Sequence, residues 1–269
     1  MGGQRWINLF FFKIQPSELA KLFLPPFMTY HLYLHKNDPV SFKLFVPLVG
    51  ILGLSCPLIM KQPDLGTALI ILFSGLVLLW LAGIGKRFFI ILTFSCLILS
   101  PVFWFLLRDY QKKRITVFLG AGKAHKERYQ IEQSIIAIGS GGLCGKGLFK
   151  GTQNKLHFLP EGRTDFIFSV IAEELGLFGT LSVILLYCLL MIHLFIAILS
   201  ISNYYAQLLA TGLCIHIFLS SIINIGMTMN MLPVVGIPLP LVSYGLCNLW
   251  INLASLGFLQ SIIMHEQTS

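Results

Sequence analysis

The chain has 269 residues, of which 56% are hydrophobic and 11% charged, with a net charge of +8. A soluble domain carries about 25% charged residues, so this composition excludes a soluble globular enzyme and places most of the chain in lipid. The six cysteines, Cys56, Cys96, Cys144, Cys188, Cys214 and Cys247, include no CxxC pair, which leaves no basis for a zinc site or a disulfide framework.

In chain order, Met1 to Phe10 opens polar, with Arg5 in its middle and no small-residue cleavage site, so it does not read as a secretory signal. Crossing a bilayer takes about 20 apolar residues as helix, and lipid allows no other backbone solution except a closed barrel. Seven segments qualify, at about 17–35, 43–60, 65–84, 86–107, 167–199, 206–228 and 242–263. The first contains Pro25 and Pro26, each of which removes a helix hydrogen bond. Tight polar turns are expected at 61–64 and 83–87. The reading is an all-α integral membrane protein: one membrane domain, 1–269, of about seven transmembrane helices with one long loop, 108–166.

That loop holds the charge. Between Arg108 and Asp165 stand eleven Lys and Arg against five Asp and Glu, a net +6. A basic stretch beside a membrane attracts phosphates, on headgroups or on a lipid-linked substrate. Within it, Ile131, Ile135 and Ile138 are expected to form one face of a short amphipathic helix ending at Gly139. The glycines at 139, 141, 142, 145, 147 and 151 match no nucleotide-binding fingerprint and read as flexible loop punctuation. Further on, Met231 to Pro240 is too rich in proline for a helix. Apolar irregular backbone at membrane depth must pack on protein or line a cavity, so this segment is a candidate wall of a site.

Ionisable groups at membrane depth are functional hypotheses by default. Here they are Glu18, Lys21, Asp64, Asp165, Glu173 and Glu174. Helix capping or pairing along one face accounts for several of them equally well: Glu18 with Lys21 three residues on, and Asp64 at a helix start. Asp165 stands out because it lies where the basic loop re-enters the membrane. A carboxylate roofed by cations suits a general base acting on a substrate with a phosphate leaving group. The histidines are scattered and take no role.

These stretches together resemble a known family. The runs Gly2 to Asn8, Gln15 to Lys21, Gln62 to Thr67 and Arg108 to Gln111 are similar to the SEDS proteins, the group of RodA, FtsW and SpoVE. So are Gln133-Ser134, Ile138 to Gly142, Gly145 to Gly147, Gly151 to Gln153 and Phe158 to Glu161. Thr164 to Phe168, Ala172 to Gly176, and the motifs from Asn224 through Pro233 to Gly236 and on to Ser243 to Gly245 complete the series. The similarity spans nearly the whole chain and is closest to RodA, the elongation member.

The resemblance implies a peptidoglycan glycosyltransferase of the bacterial inner membrane that polymerises lipid II into glycan strands during rod-shaped growth. It implies Asp165 as general base, with Arg5, Glu18, Lys21, Lys146, Arg163 and Glu173 binding substrate. Implied partners are lipid II, a class B penicillin-binding protein transpeptidase and other elongation-complex membrane proteins, with no nucleic acid. A divalent cation is the one cofactor left open, and no metal-ligand motif marks a site for it.

Charge alone would put the basic loop in the cytoplasm; the resemblance puts it outside, with the C-terminus cytoplasmic. The family has about ten spans, so the chain is expected to correspond to the last seven, as a truncated or split form. It departs from the family at Gly162-Arg163, where a His usually precedes the Thr-Asp pair, and at Leu246-Cys247-Asn248. A lipid II flippase, and an inactive scaffold for a transpeptidase, are the alternative readings.

Overall fold

The structure, a computed structural model, describes residues 6–9, 12–36, 42–120, 125–155 and 158–268. Apart from a small antiparallel hairpin, β1 (Ile7–Leu9) with β2 (Phe12–Ile14), in which Ile7 faces Ile14, the regular elements among the described residues are helices. Seven helices stand where the apolar runs lie: α1 (Pro16–Leu34), α2 (Phe42–Lys61), α3 (Leu65–Leu81), α4 (Lys86–Leu106), α8 (Ile167–Leu199), α9 (Tyr204–Thr228) and α10 (Leu246–Thr268). The loop contributes α5 (Asp109–Phe118), α6 (His125–Ser140) and the single turn α7 (Thr152–Lys155). Lys43–Lys61, Ile167–Leu199, Tyr204–Thr228 and Leu246–Glu266 are long and apolar enough to cross a bilayer, and Leu65–Leu81 is a shorter apolar helix.

Local chemistry sets the helix limits. Pro16 opens α1 at a position where its missing N–H costs nothing. Asp64 caps α3, accepting the Thr67 N–H at 3.2 Å. α3 stops at Leu81 rather than running to 84, because Gly83 takes a left-handed φ of 89°. α10 begins at Leu246, later than the apolar run at 242 suggests. The intervening residues form a turn in which Val242 and Ser243 donate to the Leu239 carbonyl.

The chain divides into two compact units. Unit 1 holds residues 1–106, 194–219 and 247–269. Its core gathers Met28 and Leu32 of α1, Phe45, Leu48 and Leu52 of α2, and Ile71 and Leu79 of α3. Unit 2 holds 107–193 and 220–246. There α6 buries Ile131, Ser134 and Ala137, while Ile135 is 45% exposed. The buried face of α6 therefore differs from the Ile131, Ile135, Ile138 stripe expected of an interfacial helix. It is turned by Ser134, whose hydroxyl meets Ser169 Oγ at 2.6 Å and the Thr228 carbonyl at 2.7 Å. A buried hydroxyl must be satisfied, and these two partners fix which face packs.

Candidate active site

Asp165 sits in a turn just before α8. Glu161, at a left-handed φ of 57°, offers one carbonyl to the N–H groups of Thr164, Asp165 and Phe166. The turn is then stitched to the proline-rich segment. Asn224, fully buried, donates from Nδ2 to the Asp165 carbonyl at 2.8 Å and to the Ile237 carbonyl at 2.7 Å. Ser243 Oγ donates to the Thr164 carbonyl at 2.6 Å and accepts the Leu239 N–H at 2.7 Å. The Tyr244 N–H reaches the Arg163 carbonyl at 3.0 Å, and Tyr187 donates its hydroxyl to the Pro240 carbonyl. Irregular backbone must find partners away from water, and here it finds them in the residues flanking Asp165. Segment 231–240 is thereby tied to the turn that carries Asp165.

The Asp165 side chain faces Gly236. A Cβ on Gly236 would lie 3.2 Å from Asp165 Oδ2 and 4.0 Å from Arg114 Nη1 of α5. The carboxylate and a guanidinium thus border one point, floored by a glycine at φ 76°. Sequence reasoning gave neither Arg114 nor Gly236 a role in the site, although Gly236 ends one of the family-like motifs. Arg114 is one of eleven loop cations, and Gly236 is one glycine in an apolar run. Arg163, beside the aspartate, is exposed and Asp165 itself is half-buried. The Arg108 to Gln111 motif has a local use: the Arg108 N–H donates to Gln111 Oε1 at 3.0 Å and closes the start of α5.

Lys146 and Glu173 come together elsewhere in unit 2. Their ion pair is 2.7 Å long, and Glu173 is fully buried. The same carboxylate accepts Thr152 N–H at 2.7 Å, Thr152 Oγ1 at 2.9 Å and Gln153 N–H at 3.1 Å. Neighbouring Glu174 accepts the Phe149 N–H at 3.0 Å. Both acids therefore hold the glycine-rich segment.

That segment is not flexible punctuation. α8 is broken at Gly176, whose φ of 67° and ψ of −160° are non-helical. The break frees the carbonyls of Glu173 and Glu174, which accept the N–H groups of Lys146 and Gly147. It also frees the N–H groups of Leu177 and Phe178, which donate to Gly142 and Leu143. A Cβ on Gly141, Gly145 or Gly176 would meet backbone atoms at 1.9, 2.2 and 2.3 Å. These three glycines are required by backbone-to-backbone contact, whereas Gly139 and Gly142 have open space.

In unit 1, Glu18 and Lys21 form a buried pair at 2.8 Å. Beside the start of α1, Asp64 accepts Gln15 Nε2 at 2.5 Å and Ser17 Oγ at 3.0 Å besides its capping bond. Arg5 lies outside the described residues.

The profile of the FtsW, RodA and SpoVE cell cycle proteins matches residues 1–268. The chain is 41% identical to the peptidoglycan glycosyltransferase MrdB of Escherichia coli K12, over 99% of this chain and 72% of that one. Among solved structures it is similar to a chain of a peptidoglycan synthase complex described as coordinating polymerization and crosslinking. The TM-score there is 0.83 at 27% identity, covering 100% of this chain and 76% of that one. It is also similar to the rod shape determining protein RodA of Thermus thermophilus, with a TM-score of 0.67 at 26% identity, covering 98% and 70%. With one family profile spanning almost every residue, the chain belongs to the FtsW/RodA/SpoVE family.

Proposed function

We propose that this chain is a peptidoglycan glycosyltransferase that polymerises lipid II, with Asp165 as general base. Asp165 takes the proton of the acceptor's GlcNAc 4-hydroxyl. The oxygen attacks the anomeric carbon of the donor MurNAc, and undecaprenyl pyrophosphate leaves with inversion. The observation that carries the reading is the mounting of Asp165: its backbone and that of its neighbours are fixed by Asn224, Ser243 and Tyr244. Its side chain borders the Gly236 floor, with Arg114 alongside. A base of this kind accelerates proton transfer by about 10²–10⁴-fold, provided that it is held in place.

Arg163, exposed beside Asp165, is read as a contact for phosphate oxygens, and Arg114 as a residue that orients the carboxylate. Arg5, Glu18 and Lys21 carry over from the resemblance as substrate-binding residues. Lys146 and Glu173 serve the site by locking the segment 146–153. The loop 108–166 is read as lying outside the cytoplasmic membrane and the C-terminus as cytoplasmic. The likeness to a synthase complex supports a transpeptidase partner.

The test is glycan-strand formation from purified lipid II by the purified chain, with and without a class B transpeptidase. The wild-type chain is expected to polymerise and Asp165→Asn to lose the activity while melting as the wild type does. A folded Asp165→Asn variant that polymerises at the wild-type rate would sink the assignment.

A further inference from the structure

The segment that plugs the break in α8 presents an apolar surface that the catalytic reading does not use. Leu143, Leu148 and Phe149 are 62%, 64% and 85% exposed. Phe149 holds a left-handed φ of 57°, a region that side-chain-bearing residues rarely occupy. It is kept there by its N–H bond to Glu174 and by the Lys150 N–H to the Gly147 carbonyl. The phenyl ring is therefore held outward by built contacts and is not a side chain adrift on a loose loop. Such outliers point from structure to function.

What covers this surface follows from its neighbours. The N–H groups of Leu177 and Phe178 are bonded to the carbonyls of Gly142 and Leu143, so the segment lies directly against the first turn of α8 past the break. On that turn Leu177 and Phe178 are 46% and 63% exposed, on a helix apolar enough to span a bilayer. The apolar tip lies beside these exposed apolar residues of α8, and the exposed Lys150 follows Phe149 in sequence. Exposed Leu and Phe with an adjacent lysine are the composition of an interfacial anchor, with the apolar side chains buried at the headgroup–acyl boundary, and the ammonium suits anionic lipid phosphates.

We propose that Leu143, Leu148 and Phe149 form an anchor seated in the headgroup–acyl boundary of the bilayer beside α8, with Lys150 on the lipid phosphates. The anchor fixes the height of the Glu173-locked segment on the membrane surface. It depends on α8 spanning a bilayer and not on Asp165 being a base.

The experiment places the photocrosslinker p-benzoylphenylalanine at Phe149 of the full chain, in nanodiscs of phosphatidylethanolamine and phosphatidylglycerol. The same replacement at Phe178 of α8 sets the lipid-facing scale, and one at Glu161, exposed on the turn before Asp165, sets the aqueous scale. On irradiation, position 149 is expected to gain the mass of one phospholipid with a yield near that of 178 and several-fold above that of 161. A yield at 149 no higher than at 161 overturns the proposal. So does an adduct at 149 that forms only when a purified transpeptidase is added, which would make the surface a protein contact. Lys150→Glu is expected to lower the yield in these anionic nanodiscs and to leave it unchanged in phosphatidylcholine nanodiscs. Equal loss in both overturns the phosphate contact.

Discussion

Glu173 and Asp165 lie eight residues apart at the entry to α8, and the structure uses the two carboxylates in opposite ways. Glu173 is fully buried, and its oxygens are filled by Lys146, Thr152 and Gln153. Asp165 is half-buried, and the tethers at its position go to main-chain carbonyls, those of Arg163, Thr164 and Asp165 itself. In the first case the side chain is the structural element. In the second the backbone is held and the side chain is turned to the site. Full burial with both oxygens bonded to segment 146–153 therefore marks the clamp, and a half-buried carboxylate on a pinned backbone marks the proposed base.

The largest expected effect tests the Asp165 side of this contrast. Asp165→Asn should lower the polymerisation rate by about 10²–10⁴-fold with no change in Tm, read by glycan synthesis and thermal unfolding on the same preparation. Glu173→Ala should do the reverse in kind. It strands the Thr152 and Gln153 N–H groups and the Lys146 ammonium, at a cost of about 3 kcal/mol in stability. A lowered Tm and loss of protection at 146–153 in hydrogen exchange are the readouts. If Glu173→Ala leaves Tm intact and abolishes turnover, the division between clamp and base is wrong.

The helices were legible because lipid imposes a simple code of long apolar runs separated by polar or glycine turns, and α2, α3, α4 and α8 follow it to within a few residues. Asp165 could be named as a candidate from its place at the loop's re-entry and from the family resemblance. The clamp was not. Gly141 and Gly145 are set by contact with Ala172 and Glu174, about 30 residues away, and no local pattern separates a glycine forced by close approach from one in open space, such as Gly142. The buried face of α6 was missed for a related reason: its isoleucines gave a helical stripe, but the partners of Ser134 decide the packing. Arg114 and Gly236 converge only through tertiary structure.

A smaller effect probes the floor of the site. Arg114→Gln should lower the rate about tenfold, the equivalent of one charge-assisted hydrogen bond, with Arg114→Lys recovering part of it and the apparent KM for lipid II little changed. A rise in KM alone would make Arg114 a substrate contact instead of a partner of Asp165. Gly236→Ala should resemble Arg114→Gln in rate, since its Cβ would crowd Asp165 Oδ2 at 3.2 Å and its φ of 76° disfavours alanine.

Ser243→Ala is expected to be the mildest of the series, and it separates tethering from chemistry. The hydroxyl bridges the Thr164 carbonyl and the Leu239 N–H, so its loss leaves one buried donor and one acceptor short of a partner, at about 1–2 kcal/mol. Because Asn224 and Tyr244 still hold the neighbouring carbonyls, the turn should stay folded while Asp165 gains positional freedom. The rate should then fall by a few-fold with a small drop in Tm, and Ser243→Thr, which keeps the hydroxyl, should restore most of it. If Ser243→Ala lowers Tm and the rate is unaffected, the pinned backbone serves folding alone. The contrast between the two carboxylates would then rest on Gly236 and Arg114.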